Sequence, residues 1–378
     1  MERIAISERS DWRQKAEEIG FTFHSVGGSY WKEDICYKFN LLDILAIETA
    51  TNELSDMCLK AVEHVIKHKM YDRFKIPSYM IPLIEQSWED EHLSIYGRFD
   101  LTFDGYNIKI LEYNADTPTS LFEAAVFQWY WKEDIFPNND QFNSIHEKII
   151  DHFISCKPYI NGDLHFTCCT ELPEDLVTVE YLRDCAHQAG ISTKLLDINE
   201  IGVDNSGKSK YFMGLEDENI ENIFKLYPWE WMVNEEFGKM IPQFQTIWSE
   251  PAWKMILSNK MLLVVLWELF PYNRYLLPSY ESPNLLPVGN YVQKPLLSRE
   301  GANVSIHEYN GNIVEEVSGE YGEEGYIYQQ YVDIKKFDNK VPIIGSWVIN
   351  HNSAGIGIRE SETLITGNLS NFVPHFID

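Results

Sequence analysis

The stretch YGRFDLTFDGYNIKILEYNADTPTS, residues 96–120, decides how the rest of the chain is interpreted. Residues 94–103 and 106–113 have the aromatic and β-branched composition of strands. Asp104-Gly105 lies between them and is a common turn signal of a β-hairpin. We therefore expect two antiparallel strands joined by a short turn.

The hairpin carries more polar side chains than ordinary strands do. Within 22 residues they are Arg98, Asp100, Glu112, Asn114, Thr117 and Thr119. Two carboxylates and an amide oxygen suit Mg²⁺ on nucleotide phosphates, and an arginine beside them suits a phosphoryl group. A polar strand edge with a surface ion pair is the alternative that these residues leave open.

The length of the turn decides whether the polar side chains share a face. A two-residue turn at 104–105 places Asp100 and Glu112 on opposite faces, because side chains alternate along a strand. A three-residue loop with a glycine bulge instead pairs Arg98 with Glu112 and brings the polar side chains to one face. A metal site therefore predicts this bulge, or a chain that leaves the ladder near Leu111.

Outside the hairpin, helical and strand patterns alternate. Apolar residues recur at helical spacing from 7 to 19 and from 41 to 68, so residues 1–85 are expected to be mainly helical. Residues 164–196 have the order strand, helix, strand, which predicts a parallel βαβ unit. Further helices are expected at 120–131 and 253–270, and further strands within 290–317, 326–332, 343–349 and 355–360. The fold class is therefore α/β with mixed sheets.

The chain of 378 residues is strongly acidic, with a formal net charge of −27. This charge repels nucleic acid and anionic membranes and attracts cations such as polyamines or metal ions. An acidic surface also keeps a protein in solution, which is the plainer interpretation. Six cysteines without a CxxC pair, and no secretory signal, favour a cytoplasmic protein with reduced thiols. The longest apolar run, 261–267, is too short for a membrane span, so we expect no nucleic-acid or membrane partner.

Three cationic side chains stand out in the C-terminal third. Lys294 precedes the polar, small-residue loop 298–303, and such a loop can hold nucleotide phosphates through an ammonium group and backbone N–H groups. Lys260 opens a very apolar helix, and Arg359 follows a glycine-punctuated strand, where it could clamp a carboxylate or phosphate. A hairpin turn, a solvated helix end and a surface ion pair are the respective alternatives.

Several motifs, taken together and in order, resemble those of one known family. They are YGRFD at 96–100, LEYNADTPTS at 111–120, FK at 224–225, PWEW at 228–231, SNK at 258–260, VQKP at 292–295, REGANV at 299–304, GIGIRE at 355–360 and LSNFVPH at 369–375. The set resembles the synthetase part of the glutathionylspermidine synthase family, from about Trp12 to the C-terminus. No stretch resembles the amidase that bifunctional members carry.

The resemblance implies an ATP-grasp fold, two Mg²⁺ ions, and an acyl phosphate that an amine attacks. It also implies a role for each matching residue: Arg98 as the catalytic residue that stabilises the transferred phosphoryl group; Asp100, Glu112 and Asn114 as magnesium ligands; Lys260 and Lys294 on the ATP phosphates; Gln329, Gln330 and Tyr331 in the adenine pocket; Thr117 and Thr119 at the peptide substrate; and Arg359 at a substrate carboxylate.

The expected architecture has three parts: a helical N-terminal segment at 1–85, a pre-ATP-grasp-like α/β domain at 86–250 with the metal-site hairpin and the βαβ unit, and an ATP-grasp region at 251–378 with lid strands and a loop around 290–317. The expected function is ligation of a small-molecule carboxylate, an amino acid or small peptide, to an amine or polyamine. Glu174 and Glu230 are candidates for binding that amine as a cation. The alternative is a catalytically idle ATP-grasp relative that serves as a nucleotide- or polyamine-binding sensor or scaffold.

Overall fold

The computed structural model describes residues 1–204, 206–367 and 370–378, and Leu369 of the last motif lies outside them. The α-helices are α1 Trp12–Glu18, α2 Leu41–His68, α3 Ile81–Glu89, α4 Gln128–Ile135, α5 Ile145–Cys156, α6 Pro173–Gln188, α7 Trp229–Met232, α8 Lys254–Leu257 and α9 Met261–Leu269, with a π-helical turn at Glu123–Phe127. Short 3₁₀ turns lie at Met70–Phe74, Ser78–Met80, Lys157–Tyr159, Ile198–Glu200, Gly238–Gln243 and Pro283–Leu285.

The strands are β1 Glu2–Ala5, β2 Ile35–Phe39, β3 Tyr96–Phe103, β4 Ile108–Asn114, β5 Leu164–Cys168, β6 Thr193–Asp197, β7 Phe212–Met213, β8 Asn219–Ile220, β9 Asn222–Leu226, β10 Ile247–Ser249, β11 Ser279–Tyr280, β12 Tyr291–Pro295, β13 Ser305–His307, β14 Ile313–Glu316, β15 Tyr326–Gln330, β16 Val341–Ile349, β17 Asn352–Ser361, β18 Asn371–Val373 and β19 His375–Ile377. Strands and helices alternate along most of the chain, so the mixed α/β class is confirmed.

The central sheet contains the predicted hairpin and runs in the order β18-β17-β16-β3-β4. Strand β3 pairs antiparallel with β16, so that Arg98 lies opposite Trp347. Every residue of these two strands is buried. Helix α2 packs against β16 and β17, and helix α5 also contacts both strands. Strand β3 is thus held in the interior of the molecule, whereas β4 is the partly buried end strand of the sheet.

The register of the hairpin differs in part from the sequence prediction. Asp100 pairs with Glu112 and Arg98 with Asn114, so the predicted Arg98–Glu112 pairing and the three-residue loop are wrong. The ladder shifts next to Asp100, which leaves Leu111 as an extra residue. The glycine bulge at the turn is therefore wrong, but the other predicted option, a chain that leaves the ladder near Leu111, is confirmed, and all four polar side chains share one face.

The loop is longer than predicted because an aspartate side chain organises it. Phe103 pairs with Ile108, so the loop consists of residues 104–107. The Asp104 carboxylate accepts hydrogen bonds from the backbone N–H groups of Tyr106 and Asn107, at 2.8 and 2.7 Å. Side-chain turns of this kind are a common use of aspartate in loops. The four-residue loop and the bulge together set the observed register.

Two further sheets complete the surroundings of the hairpin. A parallel sheet, β10-β9-β5-β6, contains the predicted βαβ unit, β5–α6–β6, which is confirmed. An antiparallel sheet, β11-β15-β12-β13-β14, carries Lys294 and Gln329 on neighbouring strands. Residues 298–303 connect β12 to β13, at the edge of this sheet nearest the hairpin.

The N-terminal segment is less helical than the sequence suggested. Helices α1, α2 and α3 form, and α2 has the predicted bounds. Strands β1 and β2 also form, in a small sheet where β2 pairs in parallel with β19 near the C-terminus. A partner more than 300 residues away leaves no trace in the local pattern of 1–85. The domain boundaries at 85 and 250 stay a prediction, although the central sheet takes strands from both sides of the second. Among the described helices, none combines the length and the apolar character needed to cross a membrane.

A prediction concerns Gly97, where the hairpin tolerates no side chain. A Cβ atom there would lie 2.6 Å from Tyr113 Oη, and Tyr113 stacks on Phe99 at 3.9 Å. We expect Gly97→Ala to displace this ring and to lower the free energy of unfolding by about 1–3 kcal/mol, as measured by urea denaturation. Gly202→Ala is the matched control, because its Cβ would lie 3.7 Å from Met213 O. Equal midpoints for the two variants would contradict the expectation.

Candidate active site

A cleft opens between the polar face of the hairpin, the junction of α8 and α9, and the loop 298–303. Together with the solvent at its mouth, the cleft occupies about 880 Å³. The sequence-predicted residues that line it are Arg98, Asp100, Glu112, Asn114, Thr117, Thr119, Glu230, Lys260 and Arg359. Side chains separated by up to 261 positions therefore meet in one place.

Arg98 and Asp100 form a buried ion pair on β3. The guanidinium donates from Nε to Asp100 Oδ1 at 2.7 Å and from Nη2 to Oδ2 at 3.1 Å. Its Nη1 donates to the carbonyl of Thr119 at 2.6 Å. Burial raises the pKa of Asp100, and the Arg98 charge opposes this shift. The two hydrogen bonds to Asp100 fix both side chains, and the third directs the Arg98 guanidinium toward Thr119.

Glu112 lies opposite Asp100 and is surrounded by cations. Lys260 Nζ is 3.4 Å from Glu112 Oε2, and Asn114 Nδ2 donates to Oε1 at 3.1 Å. Burial acts to raise the pKa of Glu112, but the charges of Lys260, Lys294 and Arg98, with the Asn114 hydrogen bond, lower it to about 2. The carboxylate is therefore ionised at every pH at which the protein is expected to work.

Lys294 reaches the hairpin from strand β12 of the antiparallel sheet β11-β15-β12-β13-β14. Its Nζ donates to the carbonyl of Leu111 at 2.7 Å and to Gln329 Oε1 at 2.8 Å. Burial lowers the pKa of Lys294 to about 8, and the Glu112 carboxylate opposes the shift. At neutral pH the charged form of Lys294 is thus only weakly favoured over the neutral amine. A further negative charge beside it would favour the charged form more strongly.

A second, more apolar cavity continues from the cleft past Asp100 and Glu112. It occupies about 720 Å³, solvent at its mouth included. The walls include Leu277, Val292, Val304, Ile306 and Ile343, and its polar edge is formed by Lys294, Gln329, Gln330 and Tyr331. Four further sequence-predicted residues are therefore brought together here, whereas Glu174 lines neither cavity. An apolar slot with a few amide and carbonyl groups suits a flat heterocycle.

The donor set fits a magnesium ion that is shared with phosphates. Within the described residues, no group of three or more His, Cys, Asp and Glu is arranged to hold a metal. Asp100 and Glu112 supply two carboxylates and Asn114 an amide oxygen, on one face of the hairpin. Mg²⁺ ordinarily takes one or two carboxylates and completes its shell with water and phosphate oxygens. These residues would therefore hold the ion only together with a nucleotide.

Strand β17 of the central sheet carries a group suited to an anionic substrate, on the same side of the sheet as Asp100. Arg359 Nη2 donates to the carbonyl of Gly367 at 2.8 Å. Its Nε is buried and has no hydrogen-bond acceptor among residues 1–204, 206–367 and 370–378. A buried donor without an acceptor is costly, so a substrate carboxylate is a natural partner for it.

The loop 298–303 contributes a residue whose role the sequence did not indicate. Arg299 Nη1 donates to Thr117 Oγ1 at 2.6 Å and lies 3.8 Å from Glu230 Oε1. Its guanidinium also lies 5.6 Å from the ring centre of Trp231. The signal for Arg299 in the sequence was its place in the polar loop that follows the strand of Lys294.

Asp116 is the second residue that the sequence did not single out. Its Oδ1 accepts from Lys225 Nζ at 2.6 Å, and its Oδ2 accepts from the backbone N–H of Trp229 at 2.8 Å. Both charged side chains are almost completely buried. This pair ties the loop that carries Thr117 to β9 and to the start of α7.

Comparison with known proteins shows the family to which the chain belongs. The family model described as "Glutathionylspermidine synthase preATP-grasp" matches residues 3–378. The chain belongs to the glutathionylspermidine synthase family. A Haemophilus influenzae member, provisionally named an acid–amine ligase, is 43% identical, and the match covers 97% of each chain. Like its relatives, this glutathionylspermidine synthase family member is an ATP-dependent ligase that forms a C–N bond.

More distant family members are longer proteins. The trypanothione synthetase of Crithidia fasciculata is 28% identical over 85% of this chain and 53% of its own length. The bifunctional glutathionylspermidine synthetase/amidase of Escherichia coli is 26% identical over 96% of this chain and 63% of its own length. This family member thus spans about half to two thirds of those two relatives. The structure of a glutathione synthetase-like effector from Globodera pallida has the same overall fold, with a TM-score of 0.60, 9% identity and coverage of 97% and 96% of the two chains.

The buried Asp116–Lys225 pair generates a prediction about stability. Lys225→Met leaves the Asp116 carboxylate buried without its counter-charge, so we expect a loss of about 3–5 kcal/mol in the free energy of unfolding. Asp116→Asn strands the Lys225 ammonium and is also expected to destabilise the protein. The double variant removes both charges and should lose less than the sum of the single losses, measured by urea denaturation. Additive losses would show that the two charges do not interact.

Proposed function

We propose that the protein activates a small-molecule carboxylate as an acyl phosphate, at the expense of ATP, and transfers it to an amine. The observation that carries this proposal is the pair of opposed carboxylates, Asp100 and Glu112, in a cleft ringed by Arg98, Lys260 and Lys294. A carboxylate and an amine do not condense in neutral water, so the carboxylate oxygen needs a phosphate leaving group. Transfer of that phosphate spreads negative charge, which requires cations held where it develops.

The polar face of the hairpin is proposed to hold the phosphates and the metal. Asp100, Glu112 and Asn114 would bind two Mg²⁺ ions, as the family resemblance implies, and the bound metal would neutralise phosphate charge. Arg98 would stabilise the transferred phosphoryl group, while Lys260 and Lys294 hold the ATP phosphates. The low preference of Lys294 for its charged form is reversed by a phosphate, because an opposite charge raises the pKa of an ammonium.

The cavity beyond Glu112 is proposed to bind the adenine ring. Apolar walls remove the ring from water, and Gln329, Gln330 and Tyr331 provide backbone and side-chain groups that orient it. Strand β15 places Gln329 against Lys294, at 2.8 Å. Nucleobase and phosphate recognition are therefore mechanically linked through one hydrogen bond.

The acid is proposed to lie along the same sheet beside the hairpin, with its reacting carboxylate near Arg98 and a second anionic group on Arg359. Thr117 and Thr119 would contact the body of the acid. The loop 298–303 carries Arg299 across this part of the cleft and would act as a lid that keeps water from the acyl phosphate. An amino acid or small peptide is the proposed acid, and an amine or polyamine the proposed nucleophile.

The metal-site assignment is tested by two conservative variants. Asp100→Asn and Glu112→Gln remove one charge each with little change in size, so we expect at least a 100-fold loss of Mg-ATP-dependent ADP release, because metal and phosphate charge go uncompensated. The assay crosses small peptides with amines and amino acids and identifies products by mass spectrometry. Glu316→Gln, at an exposed position of β14, is the matched control.

Unchanged turnover in both site variants would refute the assignment. A wild-type protein that binds Mg-ATP but releases no ADP with any mixture would instead favour the alternative of an idle nucleotide- or polyamine-binding sensor. Thermal unfolding of each variant separates a loss of activity from a loss of folding.

The acyl phosphate is tested by the fate of a carboxylate oxygen. When an acid labelled with ¹⁸O in its carboxylate is phosphorylated and the amine then displaces phosphate, one labelled oxygen leaves with that phosphate. We therefore expect inorganic phosphate to carry one ¹⁸O atom per amide formed, as measured by mass spectrometry. Phosphate without label, formed in step with amide, would exclude this intermediate. An ATP-hydrolysis control without amine sets the background of label.

A further inference from the structure

One carboxylate that faces the cleft lacks the partners that the others have. Glu230 lies in the first turn of α7 and lines the cleft. Among residues 1–204, 206–367 and 370–378 no side chain donates a hydrogen bond to its carboxylate, and its ion partner, Arg299, stays 3.8 Å away. Asp116, in contrast, is fully satisfied by Lys225 and the Trp229 N–H group. Burial, together with the charge of Asp116, raises the pKa of Glu230. Such a rise is expected for a carboxylate without a close counter-charge.

Glu230 lies on the side of the cleft where the acid is proposed to bind. Arg299 Nη1 is 2.6 Å from Thr117 Oγ1 and 3.8 Å from Glu230 Oε1, so both side chains surround the same nitrogen. Thr117 belongs to the loop assigned above to the acid. The nucleotide end is marked instead by Lys294 and the apolar cavity around it. A cation bound to Glu230 would therefore belong to the acid substrate and not to the attacking amine.

A separate cavity begins where Glu230 lies. It shares Glu230, Ser258 and Asn259 with the cleft and occupies about 520 Å³, solvent at its mouth included. One part of its wall is apolar, with Phe74, Ile76, Trp229, Val233, Met255 and Leu297, and the other part is polar, with Lys75, Asn234 and Glu324. This space extends the acid side of the cleft away from the reacting centre. A substrate with an apolar group next to a cation would fill it while pairing with the carboxylate.

We infer that Glu230 is a specificity residue that binds an ammonium group of the acid substrate, whose apolar side chain occupies the adjoining cavity. The inference rests on the proposed function and narrows it: the acid is an amino acid or small peptide with a free amino group. An ammonium offers three donors, and Glu230 offers two carboxylate oxygens to which no side chain of the described residues donates a hydrogen bond. An acid whose amino group is blocked loses this ion pair and leaves the carboxylate, 13% exposed, with only the more distant Arg299 beside it.

The test compares an active peptide of the ADP-release screen with its N-acetyl form, with the amine held constant. For the wild type we expect the KM of the acetylated peptide to be at least about tenfold higher, because a charged hydrogen bond is lost in a buried site. Glu230→Gln should remove most of this difference and leave the KM for ATP unchanged. Glu235→Gln is the control: Glu235 lies on the same segment, is exposed, and accepts from Tyr227 Oη. It should behave as the wild type.

Two results would overturn the inference while the ligase function stands: equal KM values for the two peptides in the wild type, or a Glu230→Gln variant whose KM rises for the amine and not for the acid. Failure of the proposed function has a different signature, since no mixture would then release ADP. Calorimetric titration of the same two peptides in the presence of Mg²⁺ and a non-hydrolysable ATP analogue compares their affinities directly. Equal affinities in that titration also contradict the inference.

Discussion

The cleft depends on a single extra residue in the hairpin, the bulge at Leu111. A regular ladder through this point would place Asp100 and Glu112 on opposite faces, one toward the cleft and one toward the core. The bulge turns Glu112 to the face of Asp100 and leaves the Leu111 carbonyl outside the ladder of β3. Lys294 Nζ then donates to that same carbonyl. The bulge therefore brings the two carboxylates to one face of the hairpin. It also provides the carbonyl that accepts from Lys294, and this contact holds the sheet of β12 and β15 against the hairpin.

The charges around the bulge are arranged for a ligand more than for stability. Each buried carboxylate and ammonium loses its water, and a buried ion pair often returns little more than this cost. Here Arg98 is committed to Asp100 in a two-bond fork, but Lys260 stays 3.4 Å from Glu112 and Arg359 leaves its Nε without an acceptor in the described chain. Cations in partial contact can be transferred to phosphates without a large reorganisation of the site. That is the electrostatic preorganisation which phosphoryl transfer requires.

Local features of the fold could be predicted because their causes are local. Helix α2 begins and ends where the apolar periodicity does, and the Leu111 bulge followed from requiring one face for the polar side chains. The turn length was wrong because the Asp104 side chain, and not the Asp-Gly pair alone, sets the loop. Strands β1 and β2 escaped prediction since their partner, β19, lies at the other end of the chain.

The same distinction between local and distant causes applies to the candidate site. The residues on the hairpin could be identified as a set from their spacing, whereas the union of Lys260, Lys294 and Arg359 with them rested on the family resemblance. Asp116 and Arg299 were not singled out, because an acidic residue in a loop and an arginine after a strand are common on any surface. Only tertiary contacts distinguish them: a buried lysine, Lys225, for Asp116 and Thr117 of the cleft for Arg299.

The position of Arg299 links the two halves of the cleft in a way that suits an acyl-phosphate ligase. Lys294 and Arg299 belong to one short segment, β12 and the loop that follows it. Lys294 contacts the hairpin beside Glu112, and Arg299 contacts Thr117 beyond it. If this segment shifts in response to phosphates, its contacts near Thr117, where the acid is proposed to bind, must also change. By linkage, binding of the acid must then also affect binding of the phosphates. Closure that senses both substrates would form the reactive anhydride only when the cleft is filled and water is excluded.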